Sequence, residues 1–274
     1  MPNPDGRPRM PLDDAAIIGA YLDGESETAI AKRLGVGRTT VHRRLVSAGV
    51  KLRSAVAARS LQCHKTFETT DRMLDLIDGL LLGDGTISPH SRSESRLSVE
   101  QRSDRRDWLL AVKSAFDTLD VKSSIAIRPP RKATFPNGRH GMSSEQLIWR
   151  TGKYATLSAQ RDRWYPSGTK RVPEDVRLGP IALAHWYWGD GSTKPRGYGM
   201  VFNTIGFEIA EVEDLAARLF DLYGWKVNII KHRKGRVLQI CQRAHRTELL
   251  ALIEEHCPSC FQYKLEPVRR QLSD

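Results

Sequence analysis

The chain has 274 residues, a formal net charge of +11, 40% hydrophobic and 27% charged residues, and four cysteines. That length supports two or three modules with cores of their own, and the positive balance points to a polyanion rather than to acidic protein surfaces. No stretch approaches the roughly 18 apolar residues of a membrane span. The polar start MPNPDGRPRM lacks the apolar run of a secretory leader, and so few cysteines make no disulfide scaffold. These features predict a soluble, intracellular protein with no membrane association, working in a nucleoid or another DNA-containing compartment.

Residues 1–11 are rich in proline and read as a flexible tail. Residues 12–50 then show three short helical periods. In the first, Asp13 or Asp14 stands at the start and Gly24 at the stop. In the second, Ala29, Ile30 and Leu34 face inward and Gly35 ends the helix. In the third, Thr39 caps, Val41, Leu45 and Val46 pack inward, and Gly49 closes.

Three such helices predict a helix-turn-helix domain. Between Glu27 and Glu68 the chain has basic residues and no acidic one, and Arg38, Thr40, His42, Arg43 and Arg44 fall on the exposed side of the third helix, where base edges and phosphates could be met. The string IAKRLGVGRTTVHRRL resembles the helix-turn-helix of recombinases and site-specific transcription factors. Residues 51–70, with Arg53, read equally as a tether or as an arm lying in a DNA groove.

From Asp71 helices and strands alternate. A helix over 71–82 precedes a strand at RLSVEQR, an amphipathic helix at RRDWLLAVKSAFDTLDV, and strands at SSIAIRP and SSEQLIWRTG. The loop between those strands is basic, through Arg128, Arg131, Lys132 and Arg139. Around YATLSAQRDRWYPSGTKRVPEDV a helix and a turn are followed, after Pro173, by another short element. The second half repeats the order: a helix over 181–189, a strand at YGMVFNTIG, a helix at EIAEVEDLAARLFDLYGW, a hairpin turned at Lys234–Gly235, and a last helix at HRTELLALIEEHC. The repeat places one half at 71–175 and the other at 176–268.

Each half opens on a helix that ends in Gly-Asp-Gly: MLDLIDGLLLGDGTIS at 73–88 and IALAHWYWGDGSTK at 181–194. Gly79 and Gly83 lie four apart on one helix face and Gly189 matches them on the other, so two helix backbones can approach closely. Side-by-side packing would bring Asp84 and Asp190 together, where their charges repel unless cations intervene. Oxygen-liganded divalent cations fit, Mg²⁺ foremost, and helix ends add backbone carbonyls such as those of Gly83 and Gly189. In a basic, DNA-directed chain this chemistry points to phosphodiester hydrolysis. Trp186, Tyr187 and Trp188 read as core rather than as base-stacking groups, and Trp108, Phe116 and Phe220 also read as core. Cys257 and Cys260 have metal-like spacing, but a reduced pair is the better reading than zinc.

The two motifs, IDGLLLGDG and LAHWYWGDG, with the segments GTKRVPEDV, FNTIGFEIAEVEDL and CPSCFQYKL in that order, resemble the single-chain LAGLIDADG homing endonucleases over roughly 71–265. The resemblance implies an α+β fold: a pseudo-twofold pair of αββαββα units with saddle-shaped antiparallel sheets, here preceded by the small all-α helix-turn-helix domain. It implies a monomer without an obligate protein partner, acting on double-stranded DNA with two or three Mg²⁺ ions, Mn²⁺ substituting, and leaving four-nucleotide 3′ overhangs.

Carried over residue by residue, Asp84 and Asp190 match the paired metal-binding carboxylates, Lys170 and Lys264 the active-site lysines, and Gln101 and His232 the polar residue beside each metal. For His232, which departs from the family's usual residue, water, weak metal binding and DNA contact stay open. Arg96, Arg128, Arg131, Lys132, Arg139, Lys231, Arg233 and Arg236 would face DNA. The same fold could serve a DNA-binding regulator or an RNA-splicing maturase; a recombinase would need a further catalytic set that the sequence does not offer.

Overall fold

A computed structural model describes residues 12–52, 65–90, 93–134 and 138–273. Described residues 12–52 lie in one compact unit, and 65–90 and 94–273 form a second. Among the described residues no helix is long and apolar enough to cross a membrane.

The first unit holds helices α1 (Asp14–Leu22), α2 (Glu27–Leu34) and α3 (Arg38–Ser47). Asp13 caps α1 by accepting from the N–H groups of Ala15 and Ala16. Ser26 caps α2, which ends at Gly35 in the left-handed region at φ 66°. The α3 cap is Gly37, not Thr39, and it has no side-chain hydrogen bond.

Ile17, Tyr21, Ile30, Ala31, Val41 and Leu45 form this unit's core. Two inward assignments therefore change. Ala29 is exposed and Ala31 takes the buried place, because the α2 stripe runs through Ile30 and its neighbour toward Leu34. Val46 is 53% exposed, since Val41 and Leu45, four apart, already define the inner face of α3.

The second unit is built of two similar halves. The first runs α4 (Asp71–Leu82), β1 (Gly85–Pro89), β2 (Ser95–Arg102), α5 (Arg106–Asp117), β3 (Ser123–Arg128), β4 (Lys132–Thr134), β5 (His140–Met142), β6 (Gln146–Thr151) and α6 (Ala155–Trp164). The second runs α7 (Pro180–Asp190), β7 (Gly191–Thr193), β8 (Met200–Asn203), α8 (Ile209–Tyr223), β9 (Val227–His232), β10 (Gly235–Ile240), α9 (Arg243–Glu254) and α10 (Gln262–Ser273). Each half folds one antiparallel four-stranded sheet, in the orders β1-β2-β6-β3 and β7-β8-β10-β9. The α+β class and the doubled αββαββα order stand, with α10 added.

Several local expectations change. The basic loop after β3 is itself a small ribbon, Lys132 facing Met142 and Thr134 facing His140. The last hairpin turns at Arg233–Lys234, because Gly235 already pairs with His232. Between Trp164 and Pro180 there is a turn but no further helix or strand. The second unit also starts before Asp71: Ala155 N–H donates to Lys65 O, Phe67 N–H donates to Thr156 Oγ1, and the Phe67 ring lies edge-on to Tyr154, 5.3 Å between centroids. Arg53, and the rest of 53–64, lie outside the described residues.

One core runs through both halves. It joins Leu76, Leu80 and Leu81 of α4 to Trp108, Val112 and Phe116 of α5, to Trp186 and Trp188 of α7, and to Leu215 and Leu219 of α8. Trp186, Tyr187 and Trp188 are each at most 1% exposed, so they are core side chains. Phe220 is 59% exposed instead. The buried stripe of α8 is Val212, Leu215 and Leu219, and Phe220 stands one position off it.

Candidate metal and nucleic-acid site

The two motif helices touch backbone to backbone. A Cβ on Gly79 would lie 2.5 Å from Ala182 O and 2.6 Å from Ala182 Cα, so no larger residue fits without moving a helix. A Cβ on Gly189 would lie 3.2 Å from both the N and Oδ2 of Asp84, while Gly83 faces the Cα of Gly189. Asp75 on α4 fixes the register of the pair: its carboxylate accepts from Gly179 N–H (3.1 Å) and Ala182 N–H (3.3 Å), capping the start of α7. The three glycines therefore occupy the helix–helix contact, and the contact carries Asp84 and Asp190 to one place.

The electrostatics there are strained. Surrounding protein pushes the Asp84 carboxyl up to about 6, and the Asp190 charge adds to the rise. The same crowding raises Asp190, against which Lys170 and an Asn203 hydrogen bond act. Gln101 Nε2 donates to Asp84 Oδ2.

Lys170 Nζ donates to the carbonyls of Gly83 (3.2 Å) and Gly85 (2.9 Å). Lys264 Nζ donates to those of Tyr187 (2.9 Å), Trp188 (2.9 Å) and Gly191 (2.7 Å). Burial lowers both ammonium groups to about 8. Lys264 thus caps the last turn of α7 and the first residue of β7, and Lys170 the two glycines that flank Asp84 just past α4.

The sequence-predicted residues do not all meet. Asp84, Asp190, Gln101, Lys170 and Lys264 come together; His232 does not join them. It ends the edge strand β9, two strands from β8, and its Nδ1 accepts from Lys234 N–H at 3.4 Å. The polar partner of Asp190 is Asn203, at the end of β8. Its signal was its place just past Phe202, the residue that faces Gly191 in register. Gln101 and Asn203 are not register equivalents: Val99 faces Gly85 and Phe202 faces Gly191, so one partner lies two residues further along and the other one.

The residues present suit an oxygen-liganded cation. Two carboxylates repel each other, and both ammonium groups are turned to backbone carbonyls rather than to the acids. Among the described residues no three His, Cys, Asp or Glu side chains cluster. A cation here would therefore complete its shell with carbonyl, water or phosphate oxygens. Gly83 O already accepts from Lys170, which competes with its assignment as a ligand. For zinc the cysteines are unsuited: burial pushes the thiols up to about 11 at Cys257 and about 12 at Cys260, so they keep their protons.

The basic residues divide. By strand alternation Arg96 and Arg128 lie on the open face of the first sheet, opposite Leu97, Val99 and the helices, and Arg128 donates to Glu100. Arg131, Lys132, Arg139 and Arg233 are exposed on the hairpins. Lys231 pairs with Arg236 on the helix-covered side of the second sheet, beyond Leu238 and Ile229, so neither is on the open face. In the first unit Arg38 and His42 both bind Glu27 (2.9 and 3.0 Å) and Arg44 binds Asp14, while Thr40 and Arg43 are exposed.

Two open sheets joined by a close helix pair, with two charged carboxylates at its end, define a duplicated α+β protein with a centre suited to divalent cations. The chain belongs to the LAGLIDADG DNA endonuclease family, which its residues 74–247 match. It is 28% identical over 246 residues to the uncharacterized protein MJ1098 of Methanocaldococcus jannaschii, covering 89% of this chain and 92% of that one. So long an overlap reaches back beyond the second unit and includes α3. The cytochrome b mRNA maturase bI2 of Debaryomyces hansenii is 26% identical over 170 residues, 61% of this chain and 62% of its own. Among solved structures, the homing endonuclease I-WcaI bound to its DNA recognition sequence superposes with a TM-score of 0.61 at 17% identity, over 79% of this chain and 95% of that one. At that identity the likeness is one of fold.

Proposed function

We propose that this chain is a site-specific homing endonuclease that cuts both strands of a long DNA target with bound Mg²⁺, leaving four-nucleotide 3′ overhangs. The observation that carries the reading is the meeting of Asp84 and Asp190 at the ends of the packed motif helices, each with an amide partner and a lysine on the carbonyls beside it. Divalent cations held by these carboxylates would supply charge neutralisation and a water of lowered pKa. In the hydrolysis, a water oxygen bonds to phosphorus, the P–O3′ bond breaks, and the 3′ oxygen leaves and takes up a proton.

The chain's own residues hold that geometry. Gln101 and Asn203 orient the carboxylates, and Lys170 and Lys264 offset the negative helix ends that would otherwise oppose two anions there. The open faces of the sheets would lie in the major groove. Thr40 and Arg43 of α3 would add contacts from the helix-turn-helix domain.

A regulator or maturase on this fold needs neither carboxylate; the retention of both, with both lysines, favours the nuclease. Incubated with Mg²⁺, the protein is expected to linearise a plasmid carrying a target recovered from a randomised library. Asp84→Ala and Asp190→Ala are each expected to bind that target without making double-strand breaks. Robust cleavage by Asp190→Ala would sink the mechanism.

A further inference from the structure

The two four-stranded sheets differ in the chemistry of their open faces. On the first, register sets Ser98, Arg150 and Ser124 in one cross-strand row and Arg102, Gln146 and Arg128 in another. Glu100 lies between those rows and accepts from Arg128, and Arg96 lies further along β2. The row between runs Glu100, Ile148 and Ala126, with Ile148 only 7% exposed, so the side chains that reach out from this face are mainly guanidinium donors around one carboxylate.

On the second sheet the open-face strand positions carry no arginine, lysine or carboxylate, and His232 and Gly235 form the row at the hairpin. One row runs Val201, Gln239 and Asn228, and the next Asn203, Val237 and Ile230. The alternate residues Met200, Phe202 and Leu238 are fully buried against the helices, which fixes the facing. Ile230 is 38% exposed and Asn228 is exposed, on an edge strand. Basic residues recur at the hairpins of both halves, at Arg131 and Lys132 and at Arg233 and Lys234, where phosphates are met whatever the sequence. The contrast is therefore confined to the strand faces, where bases are read.

We propose that the two sheets read half-sites of different composition: guanine–cytosine pairs under the first sheet, adenine–thymine pairs under the second. The inference rests on the endonuclease reading and names its substrate. Guanine presents the O6 and N7 acceptors that an arginine fork fits, and cytosine the N4 donor that Glu100 can accept. Thymine presents a methyl group that Ile230 and Val237 can cover, and adenine the N6–N7 edge that a glutamine or asparagine amide matches, as at Gln239 and Asn228.

The test uses the full chain and a target recovered by cleavage from a randomised duplex library. Binding is then read without added divalent cation on three duplexes. One is the parent, one has deoxyuridine for thymine in one half, and one has 7-deazaguanine for guanine in the other. These changes alter only the DNA, so protein folding does not enter. The recovered target is expected to be rich in A·T pairs in one half and G·C pairs in the other. Each thymine methyl lost under the second sheet is expected to weaken binding about fourfold. Deoxyuridine under the first sheet is expected to weaken binding less, since Ile148 there is only 7% exposed. Ile230→Ala should erase the deoxyuridine effect, and Arg128→Ala the 7-deazaguanine effect in the opposite half. A target without this contrast, indifference to deoxyuridine in both halves, or both variants acting on one half would overturn the inference while leaving the nuclease standing. Failure to bind or cut any duplex would overturn the nuclease reading and the inference with it.

Discussion

Substituting Gly79 by alanine is the sharpest probe of how the site is assembled. The added methyl would sit 2.5 Å from Ala182 O, 2.6 Å from its Cα and 2.9 Å from its carbonyl carbon. All three are backbone atoms, so no side-chain rotation relieves the contact. Overpacking of this kind costs about 1–3 kcal/mol. Replacing a mid-helix glycine by alanine returns about 1 kcal/mol. The net loss should be up to about 2 kcal/mol, read as a lower urea midpoint for the second unit. Activity should suffer more than stability: the helices must separate by several tenths of an ångström, and displacements near 1 Å cost about 100-fold in rate. Single-turnover cleavage in Mg²⁺, measured well below the urea midpoint, separates the two effects. Gly19→Ala in α1 is the control, because nothing lies within 4 Å of its added Cβ; it should be neutral or stabilising. If Gly79→Ala matches the wild type in both midpoint and rate, close approach at Gly79 does not set the catalytic geometry.

Three further outcomes are expected. Asp84 has a folded pKa of about 6 against an ordinary 3.8, so its ionisation subtracts stability above about pH 6 and nothing below the ordinary value; Asp84→Asn should raise the melting temperature of the metal-free protein at pH 8 and lose that advantage by pH 4, and an equal gain at both pH values would contradict the assignment. Lys264→Met takes its donor from three carbonyls, of which Tyr187 O keeps the Gly191 N–H, and Lys170→Met takes its donor from two, so at about 1 kcal/mol per acceptor left without a donor each should lower unfolding free energy by about 2 kcal/mol, checked by urea titration. Asn203→Ala should slow single-turnover cleavage at least tenfold while His232→Ala should change it little; the reverse ranking would restore His232 to the centre.

What the sequence made legible were the features written locally. The glycines ending α1, α2 and α3, the leucine-rich period of α4 and the two Gly-Asp-Gly turns each depend on a few neighbouring residues. Partnerships across the sheets were not written that way. Nothing near Asn203 in the chain points to Asp190; only the pairing of Gly191 with Phe202 brings them together. The α3 basic residues looked free to meet DNA, yet Glu27 and Asp14, distant in sequence, hold three of them. Helix α10 was hidden by Pro267, which reads as a stop. Buried Leu265 and Val268 and the bond from Arg246 to the Gln271 side chain hold it across the proline.

The two halves also show which parts of a duplicated centre must stay alike. Helix α4 packs with aliphatic residues, whereas α7 uses Trp186, Tyr187 and Trp188. The second half accommodates them with its own partners: Trp186 on Phe202 at 4.3 Å and Trp188 stacked on Phe261 at 5.6 Å between centroids. Core shape has thus diverged freely, as close packing allows when each change is matched by its neighbours. The helix ends have each kept a carboxylate and a lysine while differing in detail, Asp84 lying two residues past α4 and Asp190 being the last residue of α7. A carboxylate at the carboxyl end of a helix faces the negative pole of the helix dipole, and here two such ends and two carboxylates converge. A lysine on the carbonyls at each helix end offsets that pole without forming an ion pair that would occupy the carboxylate oxygens. The arrangement leaves each aspartate with an amide partner rather than an ion pair, and it uses one lysine in each half, whatever the helix above it is made of.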